Sequence, residues 1–308
     1  VASGLGKDYP LLAGGSPRRA ATVSAVAGVD LRLDRGGALG VVGPTGCGKT
    51  TLARLLLRLV EPSSGSIRFD GHELASMGRA ELRRARRRMQ MVFQDPYDAL
   101  NPRLEVGELL AEPLRVQGID DPDGRRVGEV VERVGLDHAV LRARPRELPI
   151  GAAQRVALAR ALVLGPELVV LDEALALLDG GSREELVAVL RDLQAESDLS
   201  VLAVAHHHEA LPEVKDLAVM FLGVLVETGP LERLRTGPAH PFTAGLMGVG
   251  HDPVPSDVPS PVDPPSGCRY RTRCALAERR CAEQPPPLRP VGDGHVVACH
   301  RPLVPADG

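Results

Sequence analysis

Aromatic side chains are nearly missing from this 308-residue sequence, which holds no Trp, three Tyr and four Phe. Any ring that falls inside a motif therefore carries weight. A surplus of positive charge is also missing. The 37 Lys and Arg against 40 Asp and Glu leave a net charge of −3, so the surface has no basic bias toward nucleic acid or anionic lipid. No apolar run reaches the roughly 18 residues of a membrane-spanning helix, and no signal-peptide pattern is expected at the start. Five cysteines are too few for a disulfide scaffold of this size. Internal repeats are absent. At this length the chain buries at least one large core, and two domains are expected.

What is present begins at Gly43-Pro44-Thr45-Gly46-Cys47-Gly48-Lys49-Thr50-Thr51, which reads G-x-x-x-x-G-K-T, the phosphate-binding P-loop. The apolar run 38–42 before it predicts a buried strand. Leu52, Leu55, Leu56 and Leu59 after it share one helical face, which predicts a helix from Thr50 to Val60. A strand, a glycine loop and a helix in that order make an anion site. Backbone N–H groups of residues 46–50 then face the phosphates at the positive end of the helix. Lys49 is expected to reach the β- and γ-phosphates, and the Thr50 hydroxyl to sit on Mg²⁺.

Short alternating runs before residue 37 predict antiparallel strands, and Asp70-Gly71 predicts a turn after the strand 66–69. The basic helix 79–88 lacks interleaved aromatics, which argues for a solvated face and against nucleic acid. Residues 95–147 read as a helical insertion, with helical patterns at 106–114 and 127–134. Further helices are expected at 151–164 and from a capping box at Ser182-Arg183-Glu184-Glu185. Apolar strands at 89–93, 168–171 and 201–204 alternate with them, and 218–222 with 224–227 reads as a hairpin about Gly223. This alternation implies an α/β fold with a parallel sheet. Residues 251–266 are crowded with proline and read as a linker or extended arm.

The ends of these strands carry Lys49-Thr50, Gln94, Asp172-Glu173 and His206. Phosphoryl hydrolysis uses such a set: one carboxylate for Mg²⁺, one to polarise water, and polar groups for the γ-phosphate. With these residues the sequence resembles an ABC-type ATPase over nearly its whole length. Val92-Phe93-Gln94-Asp95-Pro96 resembles the family Q-loop, and 168–173 its Walker B strand. Ala205-His206 resembles the switch-histidine segment, and Tyr9 the aromatic that stacks on adenine. His207 and His208 are expected to be solvated. Gln94-Asp95-Pro96-Tyr97, Leu100-Asn101-Pro102-Arg103, His240-Pro241-Phe242-Thr243 and the Cys-bearing tail resemble the oligopeptide/dipeptide importer branch, which also serves nickel and other solutes.

The resemblance implies a P-loop nucleotide-binding domain at 1–235, with an antiparallel β subdomain and a helical subdomain at about 95–155. A C-terminal extension follows at 236–308. It implies ATP and Mg²⁺ as ligands, with Thr50, Gln94 and Asp172 on the metal and Glu173, His206 and Gln94 as catalytic groups. It also implies two transmembrane permease subunits, an extracytoplasmic solute-binding protein, a second ATPase subunit, a place at the cytoplasmic face of the membrane and no nucleic acid.

The pattern breaks at the signature. Where the family has L-S-G-G-Q, this chain has Leu148-Pro149-Ile150-Gly151-Ala152. In the D-loop, Ala176-Leu177-Leu178-Asp179 replaces Ser-Ala-Leu-Asp, and Ala174 stands where Pro is usual. The family signature serves the nucleotide held by the partner subunit. An asymmetric heterodimer is therefore expected, with a catalytically weakened assembly subunit as the alternative.

Cys268, Cys274, Cys281 and Cys299 have the spacing C-x5-C-x6-C-x17-C, unlike a zinc ribbon. Four thiolates suit a [4Fe–4S] cluster or tetrahedral zinc, and metal-free thiols stay open. The resemblance favours the iron–sulfur cluster. Cys47 reads as a small filler within the P-loop.

Overall fold

The computed structural model describes residues 1–11, 21–249 and 259–303. Strands β1 (Ala2–Leu11) and β2 (Ala21–Leu31) run antiparallel, with Ala2 opposite Leu31. They bury Ala2, Leu5, Val26 and Val29, three apart in each strand because the pairing shifts register between Ala2 and Leu5. The apolar run β3 (Ala38–Val42) leads through the P-loop into α1 (Lys49–Leu56). This helix stops four residues short of Val60, and Arg58 lies in the left-handed region at φ +49. Strands β4 (Ser64–Phe69) and β5 (His72–Glu73) join through Asp70 and Gly71 at φ +50 and +78. Paired positive φ is what a two-residue hairpin needs, and Asp-Gly supplies it.

Helix α2 (Arg79–Arg88) precedes β6 (Met89–Val92). The insertion is helical as expected: α3 (Pro96–Ala99), α4 (Val106–Gln117), α5 (Arg125–Arg133) and α6 (Ile150–Leu162). Val106, Leu109, Leu110 and Leu114 of α4 join Val127, Val130 and Val131 of α5 and Val156 of α6 in one core. Strand β7 (Leu168–Asp172), helix α7 (Gly180–Ser197) and strands β8 (Ser200–Ala205), β9 (Asp216–Phe221) and β10 (Val224–Pro230) complete the centre. Helix α7 starts earlier than Ser182. Asp179 is its N-cap, accepting from Ser182 N–H at 3.0 Å, while the Ser182 hydroxyl donates to the same carboxylate. A carboxylate already in capping position outcompetes the hydroxyl three residues on.

The chain closes with α8 (Leu231–Thr236), α9 (Pro241–Met247), α10 (Arg279–Glu283), β11 (Arg289–Gly292) and β12 (His295–Val297). Two sheets result. One has the order β2-β1-β4-β5. The other has eight strands, β11-β12-β10-β9-β3-β8-β7-β6. Its centre, from β9 to β6, is parallel, and β10, β12 and β11 extend it antiparallel. The fold is thus α/β of the P-loop type, with the antiparallel β and helical subdomains that the pattern implied.

The tail is joined to this sheet directly. Val297 pairs with Glu227, and Ala298 N–H donates to Val226 O at 2.8 Å. Glu227 is fully buried and accepts from the N–H groups of Ala239 (2.6 Å) and His240 (2.8 Å), with His295 Nε2 at 2.6 Å. Residues 251–258 of the expected proline-rich arm lie outside the described residues. Among the described residues no helix is long and apolar enough to cross a membrane.

Candidate nucleotide site

The P-loop leaves the carboxyl end of β3 and ends where α1 begins. Two of its glycines are there because nothing larger fits: a Cβ on Gly43 or Gly48 would run into Met220 O or Ala25 O, while Gly46 has open space but a left-handed φ of +75. The first N–H groups of α1 have no acceptor within the helix, so they are free for an anion. Thr45 and Gly46 at the loop tip are exposed, and Pro44 and Thr51 half-buried. Cys47 is buried, and burial pushes its thiol up to about 11. The small side chain fills space within the loop.

Five predicted residues meet at the strand ends. The Lys49 ammonium, buried, donates to Gly43 O at 2.8 Å and Pro44 O at 3.1 Å. It also stands 3.4 Å from His206 Nδ1 and 3.6 Å from Glu173 Oε1. His206 Nε2 is 2.8 Å from Glu173 Oε2. The Thr50 hydroxyl donates to Asp172 Oδ1 at 3.0 Å. Burial, opposed by this hydrogen bond, raises the Asp172 carboxyl above its ordinary value. A buried carboxylate beside the hydroxyl that follows the loop lysine is the donor set that suits Mg²⁺. Glu173 has φ +54, a left-handed backbone uncommon for a residue other than glycine.

The other two stand apart. Gln94 is exposed, two residues beyond the end of β6. Tyr9 is 37 % exposed on β1, with Lys7 Nζ 5.1 Å from its ring centroid. A ring at the surface is available for stacking, and here a cation covers one face. His208 departs from expectation. Its side chain is only 10 % exposed, burial lowers its pKa, and Nδ1 has no hydrogen-bond partner among the described residues.

Two further residues tie the signature to the Q-loop, and sequence reasoning missed both roles. Tyr97 OH donates to Leu148 O at 2.8 Å, and Gln154 Nε2 donates to Phe93 O at 3.2 Å. A glutamine amid the apolar positions of α6 was the available signal. Pro149 caps α6 with no side-chain acceptor, and Ile150 is its first residue. Gly151 survives in a tight place: a Cβ there would lie 2.8 Å from Ser182 Oγ.

The four tail cysteines line one cavity with His240, Tyr270 and Arg271. Burial first, then the neighbouring thiols, raises Cys268 and Cys274, and Cys299 to about 11. The space between the thiols, about 10 Å³, holds one water at most. Among the described residues no group of three or more His, Cys, Asp or Glu is arranged to hold a metal ion. The donor types suit a metal and their placement does not, so neither the cluster nor zinc gains support from this arrangement.

Comparison with known proteins shows the family. Residues 26–176 match the family model "ABC transporter", and residues 226–281 match "Oligopeptide/dipeptide transporter, C-terminal region". A probable peptide ABC transporter ATP-binding protein of Sinorhizobium fredii, y4tS, is 40% identical over 96% of this chain and 88% of its own length. The oligopeptide transport ATP-binding protein OppF of Salmonella typhimurium is 39% identical over 90% of this chain and 88% of its own. Among solved structures, the ATP-binding cassette MJ0796 bound to ADP and Pi shares the fold. Its TM-score is 0.67 at 24% identity, over 75% of this chain and 97% of that one. The cassette cbiO1 of Clostridium perfringens has a TM-score of 0.62 at 25% identity, over 74% of this chain and 87% of that one. A chain that matches transport ATPases over almost its whole length belongs to the ABC transporter family, as an ATP-hydrolysing subunit of the oligopeptide/dipeptide type, for which ATP with Mg²⁺ is the expected ligand.

Proposed function

We propose that this chain is one of two unlike ATPase subunits driving a peptide importer. Residues 1–235 form the motor and 236–308 the extension. The partners are a second ATPase, two transmembrane permease subunits and an extracytoplasmic solute-binding protein, with the motor at the cytoplasmic face of the membrane. Nucleic acid is not a partner. Peptide as the solute rests on the relatives' names, and nickel or another solute is the alternative.

One contrast carries the heterodimer. Lys49, Glu173 and His206 are already in mutual contact, as are Thr50 and Asp172, whereas Pro149 and Ile150 offer no side-chain donor to a nucleotide across an interface. Proline also lacks an N–H, and a donor lost at such a site costs about 1.5–3 kcal/mol. The site on this chain's own P-loop then needs a partner with an intact signature.

The steps follow from the contacts. The γ-phosphate takes Lys49 from the carbonyls of Gly43 and Pro44. Thr50 and Asp172 would hold Mg²⁺, with Gln94 reaching toward it from the Q-loop, and the ion would supply neutralisation of phosphate charge. Glu173, released by Lys49, polarises the attacking water while His206 keeps hold of its other oxygen. Tyr9 stacks on the adenine.

The test is ATP turnover of the assembled complex with Glu173→Gln here, against the matching Gln variant in the partner. The substitution here is expected to remove most turnover, by a factor of about 10²–10⁴. Loss only with the partner's variant makes this chain the weakened assembly subunit instead. The tail thiols carry a separate proposal, a [4Fe–4S] cluster with zinc as the alternative, which rests on the cysteine pattern of the sequence. Iron and sulfide assay after anaerobic purification decides it, and a colourless, iron-free protein ends the cluster.

A further inference from the structure

The P-loop is held from behind by the turn between β9 and β10. Gly223 N–H donates to Cys47 O at 2.7 Å, and Gly223 O accepts from Ala27 N–H at 2.8 Å. The close approaches of Gly43 to Met220 O and Gly48 to Ala25 O leave the loop no slack of its own. It moves when that turn moves. The turn is itself strained. Leu222 has φ +45, a left-handed backbone that costs a bulky residue on the order of 1–3 kcal/mol and persists only where neighbours over-determine it.

The neighbour is Arg269 of the C-terminal segment. Its guanidinium donates to Leu222 O, and its Nη1 lies 3.0 Å from where a Cβ on Gly223 would be. Arg269 is half-buried, and desolvation lowers its pKa. Its sequence neighbours turn elsewhere. Cys268 lines the four-thiol cavity, and Tyr270 packs on Phe221 and Phe242 at 5.4 Å between centroids. Consecutive residues thus touch the thiol cavity, the P-loop's support and the core.

We propose that Arg269 is a positioning residue for nucleotide binding, through which the cysteine segment sets the affinity of the P-loop. The proposal needs only that the P-loop binds nucleotide, and it stands whichever way the pairing of subunits falls. A displacement of the cysteine segment withdraws Arg269 from Leu222 O. The turn relaxes out of its left-handed state, Gly223 N–H leaves Cys47 O, and the loop amides lose their aim at the phosphates.

The test uses the full chain with Arg269→Met, Arg269→Lys and, as control, Arg271→Met. Arg271 donates to Ser266 O at 2.8 Å and so stays within the tail. Three quantities are read: the Kd of a fluorescent ADP analogue with Mg²⁺, the KM and kcat of ATP hydrolysis in the complex, and Tm. Arg269→Met is expected to weaken nucleotide binding about tenfold, the equivalent of ~1.4 kcal/mol, and to raise KM more than it lowers kcat. Arg269→Lys, which keeps a donor, recovers most of this, and Arg271→Met leaves Kd unchanged. Unchanged Kd in Arg269→Met overturns the proposal. So does an equal loss in Arg271→Met, which makes the effect one of tail folding. If Arg269→Met does not fold, amide exchange at Gly223 in Arg269→Gln, whose side chain is too short to reach Leu222 O, decides. Faster exchange with weaker binding supports the relay, and exchange at the wild-type rate overturns it.

Discussion

His208 is a residue whose position works against it. Its Nδ1 is buried without a partner among the described residues, beside Glu209, His207 and Arg235. Burial lowers its pKa, so the folded chain refuses a proton that the unfolded chain accepts. Stability therefore falls as pH drops below the ordinary histidine value of about 6.5. His208→Leu removes both the orphan nitrogen and the titration. It should raise stability near neutrality by about 1–3 kcal/mol and flatten the acid side of a Tm-against-pH curve. A variant curve parallel to that of the wild type would count against this account. Two neighbours of this residue show what sequence can and cannot reveal. His206 was legible because it follows a buried strand in register with Asp172 and Lys49. The burial of His208 was not, because it depends on packing from elements distant in sequence, as Arg235 of α8 illustrates.

Helix α6 carries the most consequential element-level change. Pro149 is compatible with the start of a helix but supplies no acceptor to the orphan N–H groups there. Pro149→Ser adds that acceptor and is expected to stabilise by about 1 kcal/mol, a rise in Tm of roughly 2–4 °C. Adding Ile150→Gly cancels the gain, since glycine costs a helix up to about 1 kcal/mol. The double variant should nevertheless raise ATP turnover at the nucleotide held by the partner. That turnover is read in a Glu173→Gln background, which silences this chain's own site; no increase would show that signature loss is not what limits it. Elements with a clean period, such as α2 and β7, were legible almost to the residue. Ends were less so. Helix α1 stops early near Arg58, and α7 takes its cap from Asp179, both decided by backbone geometry that a hydrophobic pattern does not encode.

At the scale of the whole molecule, the C-terminal segment is part of the central sheet, fastened at Glu227. That carboxylate accepts two backbone N–H groups and faces His295 from β12. Glu227→Gln leaves one amide face toward a donor, and breaking a buried pair costs about 3 kcal/mol. Urea unfolding of the full chain should show the loss, with amide exchange faster at Val296 and Val297 than at β3 and β8; unchanged stability would remove Glu227 as the fastening. The order of the parallel strands was readable in outline from alternating apolar runs and helices. The attachment of β12 to β10 was not, because three tail residues carry too little pattern to name a partner strand. This attachment also has a consequence in time. About 65 residues separate the end of β10 from β12. At a synthesis rate of roughly 5–20 residues per second, a newborn chain shows the unpaired edge of β10 for about 3–13 seconds before its own hairpin is made. Edges of that kind pair with whatever strand arrives first, so the yield of folded protein should respond to translation speed.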